Sequence, residues 1–131
     1  MRLGLGGILA LIIISCGGDQ TFPVDGAWLR GGVSGDHFGI VVMLLRQEGQ
    51  EITGSACFTS SGHLIARDLP VTGRYPSMTL VVSDGHYTGR IISNDTIDGL
   101  WEVNGLQQPW TFRRATLSEY EQCRNAGPWQ P

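Results

Sequence analysis

Three histidines, three cysteines and a few carboxylates carry the reactive chemistry open to this chain. His37, His63 and His86 are the histidines, and none stands at a His-x-x-x-His or similar spacing that would share a metal ion. His63 and His86 fall at turns, where exposure to solvent is a histidine's ordinary state. They could join Asp36 or Asp84 around an ion only if loops converged at one end of the molecule, so no metal site is expected. Asp95, Asp98 and Glu102 share one stretch. Asp98 and Glu102 have outward parity there and read as solvated carboxylates rather than an acid/base pair. Serines are plentiful, but no Gly-x-Ser-x-Gly elbow presents one as a nucleophile. No glycine-rich loop leads into a helix to cradle a phosphate. Nothing pairs a nucleophile with a base, so the expectation is a protein that is not an enzyme and needs no cofactor. Cys57 and Cys123 alone supply too few thiolates for a zinc site.

The third cysteine has a different setting. Met1-Arg2 precedes an apolar run from Leu3 to Ile14, then Ser15-Cys16. One basic residue, a short apolar stretch and a small residue before a cut form the layout of a secretory signal. The run is too short to span a bilayer, which takes roughly 20 residues. Ile13-Ile14-Ser15-Cys16 resembles the lipobox of bacterial lipoproteins. The resemblance implies a signal peptide at 1–15, diacylglycerol on the Cys16 thiol, cleavage before Cys16 and acylation of the new amino group. It also implies a place in the cell envelope, anchored to a bacterial membrane and facing the periplasm or the cell surface. Two or three acyl chains anchor durably where one does not. Residues 16–25 then read as a lipidated cysteine and a flexible tether, with Gly17-Gly18-Asp19-Gln20-Thr21 at its centre. With Cys16 committed to lipid, Cys57 and Cys123 remain as an even pair in an oxidising compartment, and a disulfide is expected.

Residues 16–131 are one domain's worth of chain, and 41% hydrophobic content suffices for a core. The formal charge of −3 becomes −4 when Arg2 leaves with the signal. A mildly acidic domain lacks the basic face that nucleic acid requires.

From Gly26 onward, β-branched and aromatic runs alternate with Gly, Asn, Asp and Ser clusters. That pattern predicts consecutive hairpins. Eight strands are expected, at 26–31, 39–48, 51–59, 67–75, 77–83, 86–92, 95–103 and 109–115, with a helical turn or two from Leu117 to Arg124. Asp84-Gly85 is the sharpest turn signal, for a type I′ hairpin. Period-2 parity places Trp28, Ile52, Val71, Leu80, Tyr87, Ile97, Trp101, Trp110 and Phe112 on one face, and Ser55, Cys57, Thr72, Thr88, Arg90 and Asp98 on the other. The stretch 39–48 is apolar on both faces and escapes this sorting. Gly54, Gly73, Gly89 and Gly99 recur at inward positions, where they permit tight coiling or leave room for a ligand. The fold class is therefore all-β, an antiparallel eight-stranded up-and-down barrel over 26–116 with a tail at 117–131.

Gly26-Ala27-Trp28 resembles the Gly-x-Trp opening of lipocalins and related calycins. In that superfamily the tryptophan closes one barrel end beneath an arginine from the last strand. Trp110-Thr111-Phe112-Arg113-Arg114 supplies the arginine, and Arg114 shares the inward parity of Phe112. The resemblance thus implies a structural Trp28–Arg114 cation–π pair. It also implies a disulfide from barrel wall to C-terminal tail, which Cys57 and Cys123 would form. Val71-Thr72-Gly73-Arg74-Tyr75 and Gly99-Leu100-Trp101 look loosely like avidin-type barrels.

Two functional readings follow. In the first, the barrel binds a small apolar or amphipathic ligand at an open end near Tyr75, Tyr87, Trp101 and Trp110. In the second, it is an envelope protein–protein module, such as a protease or lysozyme inhibitor, using a loop or the segment Thr21–Asp25. A carrier needs an open cavity; an inhibitor has a filled barrel.

Overall fold

A computed structural model describes residues 21–31, 39–82 and 84–127. The expected signal peptide, Cys16, residues 17–20 of the tether and His37 lie outside the described residues. The alternating segments form eight strands: β1 (Gly26–Arg30), β2 (Ile40–Glu48), β3 (Glu51–Ser60), β4 (His63–Arg74), β5 (Ser77–Val82), β6 (Gly85–Ser93), β7 (Thr96–Val103) and β8 (Leu106–Ala115). Each pairs antiparallel with the next, and β8 returns to β1 through Ala27↔Ala115, Trp28↔Arg114 and Leu29↔Arg113. The eight-stranded barrel is therefore closed, and closure removes the edges a flat meander would expose. This architecture is compatible with a calycin-like fold.

The inward residues fill the interior. Trp28, Met43, Leu80, Tyr87, Ile97 and Phe112 are wholly buried there. The inward glycines serve close approach between strands and leave no vacant space. A Cβ on Gly99 would stand 2.1 Å from the Thr88 carbonyl oxygen, and one on Gly54 would stand 2.2 Å from that of Leu44.

Strand β2 is apolar on both faces because both faces are covered. Val41, Met43 and Leu45 point into the barrel. Val42 and Leu44 join a second apolar cluster outside it with Ala27, Cys57, Tyr120 and Cys123. Its lid is helix α1 (Leu117–Arg124). Thr116 caps this helix: its Oγ1 accepts from the Glu119 N–H at 3.1 Å, and its own N–H donates to Glu119 Oε1 at 2.9 Å. Tyr120 and Cys123, three residues apart, turn the same helix face to the barrel. Tyr120 Oη and Ser55 Oγ share a hydrogen bond of 2.5 Å. Cys57 and Cys123 form a disulfide that ties helix to wall.

Several strand boundaries differ from expectation. Strand β4 begins at His63, not 67, because two register shifts against β3 break its alternation around Phe58. Asp68 takes a left-handed φ of 57° in this stretch. The β4–β5 ladder stops at Val71↔Leu80, next to Pro70, which has no N–H to donate. Strand β8 begins at Leu106, not 109, because Asn104 (φ 52°) and Gly105 (φ 79°) form the tight left-handed turn. Gly85 is not a turn residue. It lies in β6 opposite Val82, and a Cβ there would sit 2.3 Å from the Trp101 indole.

Candidate functional site

The turns at 49–50, 75–76 and 94–95 mark one barrel end; those at 61–62 and 104–105 mark the other. The first is closed by the chain itself. Val24 is wholly buried, and its carbonyl accepts from Trp28 Nε1 at 2.9 Å. The Arg114 guanidinium lies 4.0 Å from the Trp28 ring centroid. It donates through Nη1 to the Asp25 carbonyl at 2.8 Å, through Nη2 to that of Pro23 and through Nε to that of Asn94 at 2.7 Å. Residues 22–25, read from sequence as the end of a flexible tether, are therefore a strap docked across this end. Desolvation lowers the Arg114 pKa, while Asp25 and Asp95 work to raise it. At neutral pH the group stays a cation.

Arg114→Ala is expected to lower stability by about 2–3 kcal/mol, through loss of the cation–π contact and the charged hydrogen bonds. Arg114→Lys should restore less than half, since an ammonium cannot spread donors over three carbonyls while stacking on indole. Urea titration of the three proteins measures this, and full recovery with lysine would refute the geometric account.

Tyr75 belongs to this closed end. Its Oη accepts from the Phe22 N–H at 2.8 Å, and its own N–H donates to the Gln50 carbonyl at 2.7 Å. The expected grouping of Tyr75 with Tyr87, Trp101 and Trp110 is thus corrected. Parity assigns a side chain to a face and says nothing of its height along the barrel.

The other three do meet, toward the opposite end. Trp101 stacks on Trp110 with centroids 4.7 Å apart and planes 2° apart. Tyr87 lies 5.8 Å from Trp110 and 5.1 Å from Phe112. Its Oη donates to the Trp110 carbonyl at 3.1 Å. From β1, Arg30 places its guanidinium 4.5 Å from the Trp110 ring centroid and donates through Nη1 to the Gly39 carbonyl at 3.1 Å. Arg30 is only 4% exposed, an arginine built into the barrel interior. It stands two residues after Trp28 and shares its inward parity, which is the signal of its placement in the sequence.

Tyr87 and Trp110 are core residues at 0% and 1% exposure, so they do not line an open cavity. Of the four aromatics singled out, Trp101 borders a recess. This recess has a volume of about 430 Å³ and is lined by Trp101, Val103, Leu106, Gln107 and Gln108. Its position at the tight Asn104-Gly105 turn explains its shape: the hairpin carries Leu106 out to 73% exposure. Sequence reading missed Leu106, Gln107 and Gln108 because it began β8 three residues late. A second groove of about 220 Å³ runs beside α1 between Leu29, Ile40, Val42, Gln122 and Ala126. Among the described residues no group of three or more His, Cys, Asp or Glu is placed to hold a metal ion. His86 lies 3.4 Å from Glu102 on the outer wall, both well exposed.

Burial, with a smaller push from Asp98, drives the Tyr87 phenol well above its ordinary range. The folded state therefore keeps Tyr87 protonated where the unfolded chain ionises it, above pH about 10. The stability held by the neutral phenol is complete below that pH and declines as pH rises, by up to about 1.4 kcal/mol per unit. Tyr87→Phe should flatten this alkaline decline, seen as urea midpoints between pH 9 and 11. Equal slopes in both proteins would remove Tyr87 as the cause.

The chain matches no protein-family description, and no curated protein matches it. Fold and site define it as a small closed antiparallel β-barrel with a packed interior, one strapped end and a shallow apolar recess at the other.

Proposed function

We propose that this protein is an exported lipoprotein, anchored through acylated Cys16, whose barrel binds a small apolar or amphipathic molecule at the recess beside Trp101. The observation that carries the reading is the recess itself, at about 430 Å³ and bounded by Trp101, Val103 and Leu106. Ligand sites are concave, largely apolar and of this size, with a few polar groups to orient the guest. The Gln107 and Gln108 side chains supply amide donors and acceptors at the rim. The packed interior restricts the guest to one end, so the ligand is short or inserts only one apolar group.

Native mass spectrometry of residues 21–131 from an oxidising periplasm tests this. Extra mass lost on denaturation is the expected result. Leu106→Asp, at an exposed position, should abolish it while leaving the circular dichroism of the barrel unchanged. A ligand retained by Leu106→Asp would move the site elsewhere.

The filled barrel interior favours a second reading, an envelope protein–protein module such as a protease or lysozyme inhibitor. In that reading Thr21–Asp25 is a poor recognition element, because the Pro23 and Asp25 carbonyls are already engaged by Arg114. An apo mass together with inhibition of an envelope hydrolase would favour it over the ligand reading.

A further inference from the structure

We infer that in the anchored protein the strapped end is held against the bilayer and the recess beside Trp101 faces the aqueous compartment, so that its guest arrives from water. This rests on the lipidation of Cys16 and adds an orientation to it.

The argument is one of reach. Phe22 is already fixed to the barrel through Tyr75, and Asp25 Oδ1 accepts from the Gln47 N–H at 3.0 Å. Only residues 17–21 separate Cys16 from that fixed point. Even fully extended, such a segment spans roughly 20 Å, at about 3.5 Å per residue. The ten residues of β8 rise about 33 Å along the strand, or about 25 Å along the barrel axis at the usual tilt. The spacer is too short to run the height of the barrel and let the far end turn to the membrane. Because Trp101 and Leu106 lie at the far end, the recess opens away from the lipid.

Charge does not set this orientation. Arg46 and Arg74 stand beside Glu48 and Glu51 at the strapped end, all exposed, so it offers no single sign to anionic lipid. The orientation is therefore expected to be insensitive to salt and to anionic lipid content.

The test uses the full chain, processed in a lipidating host and reconstituted in phosphatidylcholine vesicles. A photo-crosslinking amino acid replaces Gln50 at the strapped end or Asn104 at the far end, and lipid adducts are counted by mass spectrometry after irradiation. Adducts at Gln50 are expected to exceed those at Asn104 by roughly tenfold, and a flexible insert of about 20 residues after Gly18 should bring the ratio near one. Acylated Cys16 with equal or reversed adducts would overturn the orientation alone. Absence of acyl mass on Cys16 would overturn the lipidation reading and the orientation with it.

Discussion

Replacing Trp110 with alanine is expected to remove about 3–5 kcal/mol of stability, a large part of what a domain of this size possesses. Trp110 is 1% exposed and is met by side chains of three strands: Trp101 from β7, Arg30 from β1 and Tyr87 from β6. Truncation removes the ring and leaves a cavity that a closed barrel cannot collapse, because its strands are fixed by hydrogen bonds on both sides. The stacking and cation–π terms disappear with the ring. At roughly 4 °C per kcal/mol for a domain somewhat longer than about 100 residues, the melting temperature should fall by about 12–20 °C. Trp110→Phe keeps an aromatic face and should recover part of the loss. Thermal melts followed by near-ultraviolet circular dichroism measure both variants. A fall below about 1 kcal/mol for alanine would show that the stack is dispensable packing.

Removing the disulfide should cost about 4 kcal/mol. The bond joins residues 66 apart, and a loop of that length restricts the unfolded chain by about this much in the chain-entropy account. A second effect follows from position. Helix α1 has only eight residues, too few to persist in isolation. It is held by the bond, by Tyr120 against Ser55, and by an Arg124 Nη2 contact to Asp68 at 3.1 Å. The Cys57→Ser/Cys123→Ser double variant should therefore show faster hydrogen exchange in α1 than in the barrel strands. Detachment would expose Ala27, Val42 and Leu44 on the outer wall, so the variant should also bind hydrophobic dyes. An unchanged urea midpoint would mean that the bond adds nothing to the native state.

The barrel was legible in the sequence because a strand with one wet face writes its alternation directly into the chain. Gly54, Gly73, Gly89 and Gly99 marked the inward face correctly, and Trp28 and Arg114 stand together as their parity and the Gly-x-Trp resemblance implied. Stretches that break alternation are less legible. Residues 63–66 do not show as part of β4 in the alternation because the register shifts against β3 put neighbouring side chains on irregular faces. Leu106, Gln107 and Gln108 carry no alternating pattern, and their strand was recoverable only from the tight Asn104-Gly105 turn before them. Asp84-Gly85 has the local signature of a turn, whereas the lack of a side chain on Gly85 makes space for Trp101 from the next strand, a contact that no local pattern reports.

The sequence by itself determined the class of this protein: strand number, the inward face of those strands that have one wet face, and, on the expectation that Cys16 carries lipid, the pairing of Cys57 with Cys123. These are set by local alternation, turn chemistry and the counting of thiols. Tertiary structure alone decided what shares an end. It separated Tyr75 from Trp101, folded residues 22–25 into a strap, seated Arg30 against Trp110 and laid α1 over the outer face of β2. Those outcomes depend on register and stagger around the closed sheet, where each strand's height is fixed by its neighbours rather than by its own residues.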